Sequence, residues 1–306
     1  MGRFALRRLG HGVVVVFLVT VVVFFVTRLV GDPSKTLLPL EATPQERALF
    51  RHQLGLDKSI PDQFVHYIGN VAHFDFGNSL LQGRPALDIV LERLPNTFEL
   101  VAFGLGLALI LAIPLGIIAA LRPGSLLDKF TVFISLSGLS IAQVWLGLVL
   151  ILIFAATLKV LPSAGIGGFD HLILPGVTLA LPALGRLAML TRSTMIDELG
   201  TQYVQTARAK GMSEKRVVGL QALRNAAIPI LTLAGWELIR ALAGFTVVVE
   251  TVFAWPGIGY LAFQSIQQND VVLLQAIVMF VAVMIVVINV SLDILFKAID
   301  PRLKLA

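Results

Sequence analysis

Six long stretches of the chain are almost continuously apolar, and polar residues gather between them. They are Gly12–Val30, Leu100–Leu121, Phe130–Leu158, Leu172–Leu190, Ala226–Ala254 and Val271–Phe296. A helix needs about 20 mainly apolar residues to cross the hydrocarbon layer of a bilayer, so each stretch predicts one spanning helix. The fourth is interrupted by Pro175, Pro182 and Arg186. Proline inside a membrane helix is tolerated where neighbouring helices or water take up the freed backbone groups. That predicts a helix packed within a bundle rather than facing lipid. The first stretch follows Arg3, Arg7 and Arg8, exceeds a secretory h-region and has no small-residue cleavage signal after it. It is expected to be a retained helix. Leu6 stands where N-myristoylation requires Ser or Thr.

Composition narrows the class. Of the 306 residues 57% are hydrophobic and 14% charged, against about 25% charged in soluble domains. A soluble enzyme and a disordered chain are both excluded. The net charge of +5 would point to nucleic acid in a soluble protein; here its distribution along the chain decides, and no nucleic-acid partner is expected. With the N-terminus inside, the cytoplasmic segments carry Arg3, Arg7 and Arg8, then Arg122 and Lys129, then Arg192, Arg208, Lys210, Lys215, Arg216 and Arg224, then Lys297, Arg302 and Lys304. The short external loops carry only Lys159. Six spans with both termini cytoplasmic therefore satisfy the positive-inside rule, and the long segment after the first helix, residues 31–98, is exempt because long loops translocate largely regardless of charge. There are no cysteines, so disulfides and thiolate metal sites are absent.

Several chemistries are missing. No G-x-x-x-x-G-K-[ST] motif offers a cradle for ATP. Leu136-Ser137-Gly138 faintly resembles an ATPase signature, but it lies in an apolar run, where small residues pack helices. The five histidines lack metal-ligand spacing. Gly165-Ile166-Gly167-Gly168 reads as an outer turn, since no strand precedes it. In the outer loop, Thr43-Pro44 with Glu46 reads as a helix start. The stretch Arg84–Arg93, ending at Pro95, is either an interfacial helix on the outer membrane surface or an ordinary surface helix.

The segment from Thr191 to Pro229 is long, basic and helix-prone. Asp197 and Glu198 are placed near one helix start, continued by Thr206-Ala207-Arg208-Ala209-Lys210. Gly211 can take the left-handed geometry that ends a helix. Ser213 is a good N-cap for the next helix, with Glu214 in its first turn. Two short helices joined by a sharp bend are expected. Ala207 and Ala209 would let another protein approach closely, with Arg208 and Lys210 beside them to meet acidic groups. The alternative is a solvated charged loop.

The stretch from Tyr203 through Thr206-Ala207-Arg208-Ala209-Lys210-Gly211 to Ser213 resembles the coupling loop of ATP-binding-cassette importer permeases. With Ala222-Leu223-Arg224-Asn225-Ala226 and Ile228-Pro229 it resembles, more narrowly, the dipeptide/oligopeptide permease family. Glu250-Thr251-Val252-Phe253-Ala254-Trp255-Pro256-Gly257-Ile258-Gly259, the C-terminal Asp300-Pro301-Arg302, Leu54-Gly55-Leu56-Asp57 and Asp75-Phe76-Gly77-Asn78-Ser79 are similar to segments of that family too. Thr206 stands where the general loop pattern begins with Glu, and Arg224 where many importers have proline; both are usual in the peptide branch. The resemblance spans the chain and, with its long outer loop, implies the B-type subunit. It implies an all-α integral membrane protein of type I importer fold: one permease domain, residues 1–306, with an extracytoplasmic loop at 31–98 and a coupling loop at 191–229. It also implies a prokaryotic cytoplasmic membrane, a second homologous permease, two cytoplasmic ATPase subunits that hold ATP and magnesium, and an external binding protein. The chain itself would bind no cofactor or metal and catalyse nothing.

Glu237 and Arg240 fall near the middle of the fifth span, three residues apart and so on one face. Ionised groups at that depth cost roughly 2.5–3.5 kcal/mol or more and face a bundle interior or a water-filled cavity. They are either a structural ion pair or pathway groups, Arg240 for a peptide carboxylate and Glu237 for a peptide amine. Glu250 followed by Trp255, Pro256 and Gly257 reads as a helix end and turn at the outer mouth, with Trp255 alternatively an interface anchor. Asn289 and Asp293 read as helix–helix hydrogen-bond partners. Other cargo, such as nickel, haem or a glycosidic oligomer, remains open within the family. A self-sufficient secondary transporter is the alternative from another class, although no repeat is visible.

Overall fold

The computed structural model of the chain describes residues 2–30, 43–53 and 57–299. The motif residues Leu54-Gly55-Leu56 and Asp300-Pro301-Arg302 lie outside them. The described fold is helical: α1 (Gly2–Val30), α2 (Pro44–Gln53), α3 (Ile60–Ala72), α4 (Ala86–Leu121), α5 (Leu126–Ser140), α6 (Gln143–Thr157), α7 (Phe169–Leu199), α8 (Gln202–Ala209), α9 (Glu214–Val252), α10 (Ile258–Gln267) and α11 (Val271–Ile299). Among the described residues four helices are long and apolar enough to span, namely α4, α7, α9 and α11 through Lys297. The α5–α6 pair makes a fifth if taken as one broken span. In α1 the apolar run with described side chains is Gly10–Val26, shorter than those four.

Three sequence expectations need correction. The stretch Arg84–Arg93 is neither an interfacial piece nor a separate surface helix: α4 starts at Ala86 and continues through Pro95 to Leu121. Its 36 residues, at about 1.5 Å each, outreach the hydrocarbon layer. The third apolar run is not one straight crossing. α5 and α6 meet at 106°, because Ile141 and Ala142 between them are extended; hydropathy measures apolar length and is blind to direction. The fifth span is also interrupted. Gly244 breaks α9 with φ 129° and ψ −6°, a left-handed value that disfavours any residue with a Cβ.

The described residues form two compact units. One comprises the helices up to Pro95 together with Gly257–Ile294. In it α1 runs antiparallel to α11. Arg8 Nε pairs with Asp293 at 3.2 Å, which fits the partner role expected of Asp293. Farther along, a Cβ at Gly12 would lie 2.5 Å from Val286, and the Thr20 hydroxyl meets Met279 Sδ at 3.7 Å. Val13, Val14, Phe17, Leu18 and Val22 are left exposed, as suits a lipid-facing stripe. Phe24 packs edge-on against Phe64 of α3. The helix start read at Thr43 is a reciprocal capping box: Glu46 accepts from the Thr43 N–H at 2.8 Å and donates its own N–H to the Thr43 hydroxyl at 3.3 Å. The segment Asp75–Ser79 is fastened to the start of α11. Ser79 Oγ donates to the buried Asp270 carboxylate at 2.5 Å, and that carboxylate also accepts from the Leu80 and Leu273 N–H groups.

The other unit runs over Asn96–Pro256 with the described residues from Leu295. Its centre is α7, with α5 and α9 packed against it. Of the most apolar part of α7 67% is buried, against 22–33% in the other three spanning helices. This is the bundle-interior helix that its prolines predicted. Two glycines set the approach of α5 and α7. A Cβ at Gly138 would sit 2.6 Å from the Leu181 carbonyl oxygen, and one at Gly185 2.6 Å from that of Ser135. The Leu136-Ser137-Gly138 tripeptide is thus a helix-packing feature.

Candidate cargo cavity and the loop between α7 and α9

The loop between α7 and α9 is more compact than its sequence suggests. Asp197 and Glu198 end α7 rather than start a helix. After Gly200 and Thr201, α8 covers Gln202–Ala209. It stops in a Schellman motif: the Met212 N–H donates to Ala207 O at 3.2 Å, and the Gly211 N–H to Arg208 O at 2.9 Å. Gly211 has φ 77° and open space around it; backbone conformation alone demands glycine there. Ser213 occupies the N-cap position of α9 without a side-chain capping bond. The second helix is not short, since α9 continues from Glu214 into the fifth span.

The two faces of α8 differ. Val204 and Ala207 are buried in a core with Val217 and Ala222, and Met212 packs there. Ala207 therefore anchors the loop instead of offering a crest to a partner, and only Ala209 is exposed. Tyr203, Thr206, Arg208 and Lys210 are exposed with it. Arg208 is committed within the loop, its Nε 2.8 Å from Glu214. The Tyr203 hydroxyl donates to Glu198 and accepts from Asn225 Nδ2 at 2.9 Å. Desolvation by its neighbours, reinforced by that bond to Glu198, raises the Tyr203 phenol above its ordinary pKa.

The charges at depth do not pair with each other. Glu237 is buried, and its carboxylate accepts a two-pronged bond from Arg186 of α7, the second prong at 2.8 Å. The ion pair is thus structural and joins α7 to α9, but its cation is Arg186, not Arg240. Arg240 instead lies with Cζ 5.1 Å from the centroid of the Phe245 ring. All three charged groups line a cavity of about 270 Å³. Its wall includes Gly138, Ile141 and Gln143 at the α5–α6 break, Pro182, and Ala241 beside the α9 break. A second opening, of about 460 Å³, presents Trp236 alongside the same three charges.

Glu250 and Trp255 do not line this cavity. Glu250 is wholly enclosed and accepts from the Thr97 hydroxyl at 2.8 Å. Trp255 is only 2% exposed, which excludes an interface anchor. Its Nε1–H donates to Asn96 O at 2.9 Å, while Asn96 Nδ2 donates to Pro256 O at 2.9 Å. The segment Glu250–Gly257 is a turn locked onto α4.

Two groups went unnoticed in the sequence. Arg192 forms a two-pronged pair with the buried Asp128, its Nη2 at 2.9 Å, tying α7 to the first turn of α5. The signal was Ser125 three residues before Asp128, a capping pattern that the structure forms at 3.2 Å. Asp270 carried no such signal.

Comparison with known proteins agrees with this architecture. The family model for the binding-protein-dependent transport system inner membrane component matches residues 112–305, and its N-terminal companion matches residues 1–101. The glutathione transport system permease protein GsiC of Escherichia coli K12 is 37% identical over 305 residues, covering 99% of each chain. GsiC of Shigella dysenteriae serotype 1 matches to the same extent. Among solved structures, the MetNI methionine ABC transporter in an inward-facing conformation aligns with TM-score 0.57 at 16% identity, over 69% of this chain and 96% of that one; this likeness concerns the fold. The chain belongs to the binding-protein-dependent transport family and is a multi-pass inner-membrane permease, of the B type found in peptide-type ATP-binding-cassette importers.

Proposed function

We propose that the chain is one half of the translocation path of an ATP-driven importer of dipeptides or oligopeptides. A second, homologous permease completes the path. Two cytoplasmic ATPase subunits bind ATP and magnesium, one of them docking on the exposed face of α8, and an extracytoplasmic binding protein delivers cargo. The chain carries out no catalysis and holds no cofactor. Both termini lie in the cytoplasm, in keeping with the lysine and arginine distribution and with the antiparallel pairing of α1 and α11.

The observation that carries this proposal is the α8 loop. Its Schellman bend and its buried Val204 and Ala207 fix it to the permease core. A push on the exposed face is therefore transmitted to α7 and α9 instead of being absorbed by a floppy segment. The peptide cargo is supported by the similarity to GsiC, whose named cargo, glutathione, is itself a tripeptide.

The test is a mild-detergent pull-down of the tagged chain from its native membrane, with bound proteins identified by mass spectrometry and uptake of labelled di- and tripeptides measured in parallel. Recovery of a second permease and P-loop ATPases, together with ATP-dependent peptide uptake, is expected. A chain recovered alone that still moves solute without ATP would overturn the proposal in favour of a secondary transporter.

A further inference from the structure

We infer that Arg240 is the carboxylate-binding group of the cavity, so that the cargo it accepts is an anion or a zwitterion with a free carboxylate. The inference rests on the proposed translocation path and takes this cavity to be part of it. The cavity wall carries three charges, Arg186, Glu237 and Arg240. Arg186 and Glu237 bind one another through two parallel bonds, so their charges cancel, although the remaining Arg186 N–H groups can still donate. The cavity therefore keeps one net positive charge, and Arg240 supplies it.

Among the described residues Arg240 has no carboxylate or carbonyl acceptor; its partner is the Phe245 ring. An aromatic ring attracts the cation through its quadrupole but accepts none of the five guanidinium N–H groups in the way that an oxygen does. Those donors form the planar fork that fits a carboxylate in two-pronged fashion. Arg240 is exposed, so its guanidinium is reachable by solute, and Leu105, Leu139 and Leu179 on the same wall offer apolar surface to the rest of the cargo. The same wall holds no free anion to receive an ammonium group, so a cationic cargo without a carboxylate is disfavoured.

The experiment uses the purified intact complex. Arginine modification by p-hydroxyphenylglyoxal is followed at Arg240 by peptide mass mapping, in the presence of trialanine, of trialaninamide or of benzoate. Trialanine and benzoate are expected to slow modification of Arg240 at least threefold, and trialaninamide to leave it unchanged. Equal protection by the acid and the amide, or protection by neither acid, would overturn the inference. So would complete resistance of Arg240 without any probe, since a neighbouring chain would then cover it. In parallel, Arg240→Gln should lower trialanine uptake at least tenfold at normal complex yield, with Arg240→Lys retaining a measurable fraction. A proportional loss of assembled complex in both variants would make Arg240 an assembly residue. Benzoate protection without any trialanine uptake by the native complex would refute the peptide proposal while upholding the anion site.

Discussion

Replacing Glu237 by Leu removes one side of the Arg186–Glu237 pair and leaves a guanidinium stranded between α7 and α9. The Glu237 side chain is 5% exposed and that of Arg186 25%, so water can relieve the stranded cation only in part. Breaking a buried pair from one side costs about 3–5 kcal/mol. The residual exposure of Arg186 places Glu237→Leu near the lower end, about 3 kcal/mol, or roughly a 100-fold change in the folding equilibrium. Arg186→Met strands the more deeply buried carboxylate and should cost at least as much. The double variant Arg186→Met with Glu237→Leu removes both desolvation penalties and should return to within ~1 kcal/mol of the native protein. Near-ultraviolet circular dichroism of the purified permease, titrated from mild into denaturing detergent, measures all four corners of the cycle. A double variant as unstable as the worse single one, or single variants that cost less than ~1 kcal/mol, would refute the idea that this pair is a buried, mutually dependent clamp.

Gly138→Ala and Gly185→Ala each place a methyl group against a backbone carbonyl across the α5–α7 contact. Each should cost about 1–3 kcal/mol in the same titration. Gly211→Ala, at φ 77°, should cost about 1–2 kcal/mol, read in the same way. Gly211→Asp should leave membrane insertion intact while uncoupling ATP hydrolysis from uptake, so normal uptake by that variant would refute a coupling role for the loop. Trp255→Phe leaves the Asn96 carbonyl without its indole donor and should cost about 1–3 kcal/mol without altering the KM for cargo. Ser79→Ala removes the hydroxyl bonded to Asp270 and should speed limited proteolysis between residues 75 and 85.

What the sequence disclosed follows from what local patterns record. Apolar length found four spanning helices among the described residues, and a fifth if the bent α5–α6 pair is one span, and the prolines of α7 marked it as interior. The turn chemistry of Thr43 and Gly211 was legible because capping and left-handed glycine are local. The direction of a helix is not local. Ile141 and Ala142 are themselves apolar, and the polar and small residues around them, Ser137, Gly138, Ser140 and Gln143, lower the hydropathy locally without giving the direction of the 106° turn between α5 and α6. Pairing across helices was hidden for the same reason. Glu237 and Arg240 share a helix face by spacing, yet the partner of Glu237 lies 51 residues away in sequence. Ala207 looked like part of a docking crest because it and Ala209 are small, whereas helical periodicity turns it, with Val204, towards the core.

The two helix breaks and the charged cavity belong together. A break in a membrane helix frees backbone N–H and C=O groups that lipid cannot satisfy, so non-helical backbone at depth is tolerated only where it is buried in protein or lines a watery space. Here the α5–α6 break contributes Ile141 and Gln143 to the cavity wall, and the residues flanking Gly244, Ala241 and Phe245, contribute to the same wall. An Arg–Glu pair and a lone arginine at that place meet the same requirement, because ionised side chains also avoid lipid. Glu250 and Trp255, by contrast, are sealed into a hydrogen-bonded turn. The turn thus holds the end of α9 against α4. The broken faces of the helices and the charged side chains thus line one cavity, with Arg240 on its wall, and this is the cavity that the proposed cargo path uses.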